Sequence, residues 1–142
     1  MILASHQKQG QQIRRGAALV EFAMVAPLLF LLVMGSVEFA RAFMANNLIA
    51  NAARCGGRAG AIPGTSNADI TASIDQSLGG VGISGYSVSV TINGKPVDAK
   101  AALQGDSVEV NVSVPYAAVT WLPSPAFLAN VTLKETVVMR RE

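Results

Sequence analysis

An uncharged apolar stretch of sixteen residues, Phe22 to Val37 (FAMVAPLLFLLVMGSV), constrains this chain more than any other feature. With its flanks it becomes twenty-four residues, Ala17 to Ala40, interrupted only by Glu21 and Glu38. A helix of that length measures roughly 36 Å, enough for a bilayer hydrocarbon core of about 30 Å. The stretch is apolar on every side, which argues against a soluble amphipathic helix. Pro27 would bend it, a distortion that membrane helices tolerate. Arg14 and Arg15 precede the stretch and only Arg41 follows it closely. That asymmetry keeps the N-terminus in the cytoplasm and exports the remainder.

The 142 residues allow one compact domain with an appendage. Hydrophobic residues make up 51% and charged ones 14%, with mean hydropathy +0.39. That is too apolar for a disordered chain, and well below the charge content of about 25% usual in a soluble domain. The net charge is +2, and Lys8, Arg14 and Arg15 all lie in the first sixteen residues. The rest carries 8 basic and 9 acidic groups, so the pI of 9.0 belongs to the N-terminus. No basic face interleaved with aromatics supports nucleic-acid binding. The one histidine, His6, sits in the leader, and Cys55 is the one cysteine. The body therefore lacks histidine acid–base chemistry, a His/Cys zinc site and an internal disulfide. No metal and no cofactor is expected.

Residues 1–16 (MILASHQKQGQQIRRG) are polar and Gln-rich without an apolar stripe, and read as a cytoplasmic leader rather than a folded element. The helix that follows is expected over 17–62, with a membrane span at about 18–40. Past the span, Ala45, Leu48, Ile49, Ala52, Cys55/Gly56 and Ala59 form one apolar stripe, and Asn47, Asn51, Arg54 and Arg58 a polar one. Gly56-Gly57 weakens this end, and Gly60 with Pro63 stops it.

Residues 63–142 read as an exported head. Ile70, Ile74 and Leu78 predict a short helix over Ala68–Leu78, capped by Asn67 and closed by Gly79-Gly80. The period then changes to two. Tyr86, Val88, Val90 and Ile92 alternate with polar residues, as do Val108, Val110, Val112 and Val114. Asn93-Gly94 predicts a hairpin turn with Val97 on a short return strand. Pro115, Pro123 and Pro125 break up the next loop. Val131–Arg140 is a third strand, with Glu135 anomalous on the face of Leu133 and Val137. A small antiparallel sheet must cover its apolar face, and the amphipathic half of the long helix is the available partner. The class is α+β.

The junction Arg14-Arg15-Gly16-Ala17-Ala18-Leu19-Val20-Glu21-Phe22 carries the chemistry. Glycine gives an extended, unhindered peptide to a protease. A carboxylate inside a membrane helix costs about 2.5–3.5 kcal/mol on insertion scales, which makes Glu21 odd. Two readings stand: Glu21 snorkels to the cytoplasmic interface, or it meets a cation, the α-amino group of Ala17 freed by cleavage after Gly16.

The stretches RRGAALVEFAMVAPLLFLLVMGSVEFARA and NAARCGGRAGA resemble the TadE-like family, minor pseudopilins of the Tad (Flp) pilus system. The similarity covers Arg14 to Ala61. The Gly105–Val110 strand and the Met139–Glu142 ending fit it only in outline. Cys55-Gly56-Gly57 departs from the family pattern and leaves the shape of the helix end open. The resemblance implies a type IV pilin-like fold and cleavage between Gly16 and Ala17 by a prepilin peptidase. It implies that Glu21, with Phe22, serves recognition or assembly. The implied partners are the major Flp-type pilin, a TadF-like pseudopilin and the inner-membrane assembly machinery.

Other features have plainer readings. Glu38 and Arg41, three apart, suit an interfacial ion pair at the outer side of the membrane. Arg54 and Arg58 form either a solvated face or a contact with a partner pilin or the chain's own sheet. Cys55 reads as a small buried residue, with an intermolecular disulfide as the alternative. Asn111-Val-Ser and Asn130-Val-Thr are short glycosylation matches. Asp106 and Glu109 point to opposite faces of a strand and form no catalytic pair. No nucleophile–base pair can be named, so the chain is expected to be an enzyme's substrate and not an enzyme. Two alternatives remain. Ala40-Arg41-Ala42 suits a signal peptidase that would release a secreted binding module starting at Phe43. An uncleaved single-pass subunit of an envelope complex is the other.

Overall fold

The structure, a computed structural model, describes residues 4–120 and 130–142, with side chains from residue 16 onward. Its elements are α1 (Ala4–Ala61), α2 (Asn67–Leu78), β1 (Ser87–Ile92), β2 (Ser107–Pro115) and β3 (Thr132–Arg140). Short 3-10 turns lie at Ala99–Ala101 and Tyr116–Ala118. The chain divides into two units, Met1–Val37 and Glu38–Glu142. Pro123 and Pro125, expected to break a loop, lie outside the described residues, as do the side chains of the basic leader.

In the first unit the large apolar side chains from Leu19 to Val37 are all uncovered, Leu28 at 68% and Leu31 at 71% exposure among them. This part of α1 is long and apolar enough to cross a membrane. The helix begins earlier than the sequence suggests, since residues 4–16, read as an unfolded leader, belong to it. The segment is rich in Gln with Ala, Lys, Arg and Ile, contains no proline, and meets Ser5 and His6 as middling and Gly10 and Gly16 as poor helix formers. Gly16 is thus helical and not extended. Pro27 lies inside α1, and its missing N–H leaves the carbonyl of Ala23 without its usual helical donor.

The second unit is a three-stranded antiparallel meander in the order β1-β2-β3, with helices on one face. Val108, Val110, Val112 and Val114 of the central strand are all fully buried. Burial of each such side chain contributes about 1.5–3 kcal/mol. They lie opposite Ile92, Val90 and Val88 of β1 and Met139, Val137, Glu135 and Leu133 of β3. Their cover comes from Ala45, Ile49, Ala52 and Ala53 of α1 and from Ile70, Ile74 and Leu78 of α2. The expected α1 stripe therefore forms, and Leu48 and Ala59 flank it half-buried.

Gly56, Gly57 and Gly60 do not end the helix, which runs on to Ala61. A Cβ on Gly56 would stand 2.7 Å from Ile74 Cδ1 and 3.3 Å from Val110 Cγ1, and one on Gly60 would stand 2.8 Å from Val108 Cγ1. These glycines let α1 approach α2 and β2 closely.

Smaller corrections follow the same logic. Ser66, not Asn67, caps α2. Its hydroxyl accepts from Asp69 N–H while its own N–H donates to the Asp69 carboxylate, a reciprocal capping box. Asn67 instead accepts the N–H of Ala99 at 2.9 Å. Asn93 and Gly94 form the expected tight turn with φ of 50° and 77°. The return is a single Ile92–Lys95 bridge rather than a strand through Val97, and β1 pairs with β2. Glu135 does face inward, where Asn46 of α1 donates to its Oε1 at 3.1 Å. Asp106 precedes β2 and accepts from the Leu103 N–H and the Asn93 side chain.

Candidate functional site

Residues 16–22 of the junction all lie on the exposed surface of α1. Beyond its own stretch of helix, Gly16 has no atom within 4 Å of the position a Cβ would take, so among the described residues nothing packs over that position. Ala17 and Glu21 are four residues apart on one continuous helix. That spacing stacks them on one face, within side-chain reach of each other. A free α-amino group at Ala17 and the Glu21 carboxylate can therefore meet on the same chain. Phe22 is 65% exposed.

The start of the second unit fastens α1 to the head. Glu38 Oε1 accepts the hydroxyl of Tyr116 at 2.9 Å. Burial, and then the bond to Glu38, push the Tyr116 hydroxyl's pKa up from its ordinary value. Arg41 Nε donates to the carbonyl of Val119. Glu38 and Arg41, expected as an ion pair at the membrane interface, each hold the segment that follows β2. A groove of about 30 Å³ opens beside them, lined by Arg41, Met44, Leu48, Val81, Ile83 and Val119.

Arg54 and Arg58 lie on the exposed polar stripe of α1 with Asn47 and Asn51. Arg58 donates to Cys55 Sγ at 3.3 Å, and among the described residues neither arginine bonds to the sheet. Cys55 is half-buried rather than buried. The junction residues and the two arginines fall in different units, so the chain offers two separate surfaces.

A second cleft, of about 200 Å³, is lined by Ile92, Asn93, Lys95, Val97, Asp98 and Ala102. Among the described residues no three His, Cys, Asp or Glu side chains gather as metal ligands. Sequence reasoning missed Arg141, which is 4% exposed. Its Nη1 donates to the carbonyls of Gly60 at 3.1 Å and Ala99 at 3.0 Å. A buried cation thereby satisfies an orphan carbonyl in the last turn of α1, where the helix dipole favours positive charge. The only signal was a charged pair closing a chain whose third strand already ended at Arg140.

Residues 16–58 match the family model of the TadE-like proteins, over part of the Arg14–Ala61 stretch that carried the resemblance. The match starts at Gly16 and takes in Glu21, Phe22, Arg54 and Arg58. No curated protein and no solved structure matches the chain.

Proposed function

From the TadE-like match we propose that this chain is a minor pseudopilin or assembly component of a Tad (Flp) pilus, matured by a prepilin peptidase that cuts after Gly16. The observation that carries the reading is the match itself, because it begins at the residue before the proposed cut and runs through the membrane-spanning part of α1. On this reading residues 1–16 are removed, and α1 from Ala17 anchors the exported head in the inner membrane, with the N-terminus on the cytoplasmic side. Glu21 neutralises the new amine of Ala17, on its own chain or a neighbour's, and Phe22 completes the recognised segment. Arg54 and Arg58 offer an exposed basic stripe to the major pilin or a TadF-like partner. The chain is then the substrate of an enzyme and performs no catalysis itself.

Release by signal peptidase before Phe43 fits the structure less well. Glu38 and Arg41 would leave with the cut segment, and with them the bonds to Tyr116 and Val119.

The test is the mature N-terminus, read by intact mass and terminal sequencing from membranes with and without a prepilin peptidase. A chain starting at Ala17 only when the peptidase is present is the expected result. A start at Phe43 would move the head to the secreted-module reading. An uncut chain beside an active peptidase would leave a plain membrane anchor.

A further inference from the structure

The two edges of the sheet are not alike. Two bonds beside β2 fix the parity of its ladders: the Ser107 carbonyl accepts from Asn93 N–H on the β1 side, and the Asp106 carbonyl accepts from Arg141 N–H on the β3 side. Carried along the register of β2 on β3, this turns the backbone groups of Leu133, Glu135, Val137 and Met139 toward β2. The N–H and C=O groups of Thr132, Lys134, Thr136, Val138 and Arg140 face the other way, along the outer edge. Among the described residues no hydrogen bond reaches these groups. The β1 edge is shorter, six residues against nine, and the outward groups of Ile92 are taken by Lys95.

β3 carries no proline or glycine, and its register with β2 is unbroken. Its helix-side residues Leu133, Glu135, Val137 and Met139 are only half-buried, whereas the valines of β2 opposite them are fully buried. Cover from α1 therefore thins toward this edge and leaves apolar surface for a further strand to pack on. An open edge of this length is a template for pairing.

Charge decides what pairs with it. On the uncovered face β3 carries Lys134 and Arg140, roughly 20 Å apart along the strand, and no acid. Glu109 of β2 shares that face and accepts from Thr91 on its far side. Glu135 lies on the other face and accepts from Asn46. A second copy is a poor match. Antiparallel pairing centred on Thr136 sets Lys134 against Val138 and Arg140 against Thr132, and leaves both cations without a counter-charge. One register step to either side sets Lys134 against Arg140 or Glu135 against itself, and parallel pairing in register repeats every like charge. Like charges directly opposite are destabilising. A strand with carboxylates at the same spacing meets both cations.

We propose that the outer edge of β3 receives an extended segment of a different protein as a fourth strand, with Asp or Glu opposite Lys134 and Arg140 and apolar residues on the helix-covered side. The edge lies wholly within the head, so the site does not depend on cleavage after Gly16.

The full chain in detergent micelles tests this with a capped synthetic peptide as long as β3. The peptide has valine at its odd positions, glutamate at the second and eighth, and threonine at the fourth and sixth. A companion peptide has lysine in place of both glutamates. Amide hydrogen exchange is read residue by residue by NMR. In the free chain the amides of Lys134, Thr136, Val138 and Arg140 are expected to exchange fast, and those of Glu135 and Val137 slowly. The glutamate peptide is expected to slow the first set about tenfold, and the lysine peptide to leave it unchanged. Lys134→Glu combined with Arg140→Glu should interchange the effects of the two peptides. Slow exchange of the first set in the free chain would mean that the edge is already closed, and would overturn the proposal. Equal protection by both peptides, protection by neither, or protection at Val88 and Val90 of β1 instead would overturn it as well.

Discussion

At Gly60 a single hydrogen atom where other residues carry a Cβ decides how closely helix and sheet approach. Alanine is the better helix former by about 1 kcal/mol. Its methyl group would nonetheless lie 2.8 Å from Val108 Cγ1 and 3.1 Å from Ile70 Cδ1. Val108 is fully buried and stiff at χ1, so it has nowhere to move. Overpacking of this kind costs about 1–3 kcal/mol. Gly60→Ala is therefore expected to lower stability by about 1 kcal/mol net in urea unfolding. Gly57→Ala, which meets Val137 at 3.0 Å and the flexible Met139 at 3.4 Å, should come out near neutral. Equal effects at both positions would show that the close approach to Val108 does not set the cost of a methyl group at Gly60. Arg141 raises the same question of fit for a polar group. Arg141→Met keeps the bulk but strands the carbonyls of Gly60 and Ala99. An unpaired buried group costs about 1–3 kcal/mol. The variant is expected to lose that much for each carbonyl that water does not reach, read as a lower urea midpoint with an unchanged slope.

At the scale of elements, α2 depends on its first turn. Ser66→Ala removes the hydroxyl of the capping box, at a cost of about 1 kcal/mol. It also changes the acid limb of the stability curve. The Ser66 hydroxyl, and then its N–H, hold the Asp69 carboxyl below the usual range. The Leu103 N–H, and then Asn93, do the same for Asp106. A depressed carboxyl stabilises the fold above its unfolded pKa, about 3.9, and the contribution is lost as pH falls through the lower folded value. Stability is thus expected to fall below about pH 4, and more weakly so in Ser66→Ala. These elements were legible in the sequence to different depths. The period-two valines of β2 and the four-residue spacing of Ile70, Ile74 and Leu78 state burial directly, and all are buried. The cap is ambiguous in the sequence because Ser66 and Asn67 are both good cap residues; the Ser66–Asp69 box and the bond from Ala99 to Asn67 together separate them. The inward Glu135 could be seen as an anomaly, but its partner Asn46 lies 89 residues away on α1. The junction motif is local, since basic leader, glycine, carboxylate and apolar run are contiguous, whereas the roles of its residues stand as a proposal. The burial of Arg141 could not be read locally, because both of its acceptors are backbone carbonyls brought near by the fold.

At the scale of the whole molecule, the amphipathic half of α1 belongs to the head rather than to the anchor. Ala45, Ile49, Ala52 and Ala53 are part of the core that covers β2, and the division into units falls before them, at Val37. A chain beginning at Glu38 keeps that cover along with the Tyr116 and Val119 bonds, and is expected to fold as one cooperative unit. A chain beginning at Phe43 keeps the cover but loses Glu38 and Arg41. A hydrogen bond to a charged group contributes about 1.5–3 kcal/mol, so this chain should unfold at a lower urea concentration. The difference has its own pH signature. Tyr116 titrates above its ordinary value by burial and then by the bond to Glu38. A group with a raised folded pKa contributes below its unfolded pKa, about 10 for tyrosine, and the contribution fades as pH rises through the folded value. The advantage of the Glu38 chain over the Phe43 chain should therefore hold at neutral pH and narrow in alkaline solution. A chain beginning at Pro63 would expose the α1-facing side of Val108 to Val114 and lose Gly60 as an acceptor for Arg141. It is expected to lack a cooperative transition. Chains starting at Glu38 and Pro63 that unfold alike would show that the sheet and α2 form a domain without α1. The anchor would then end at Ala61 instead of Val37.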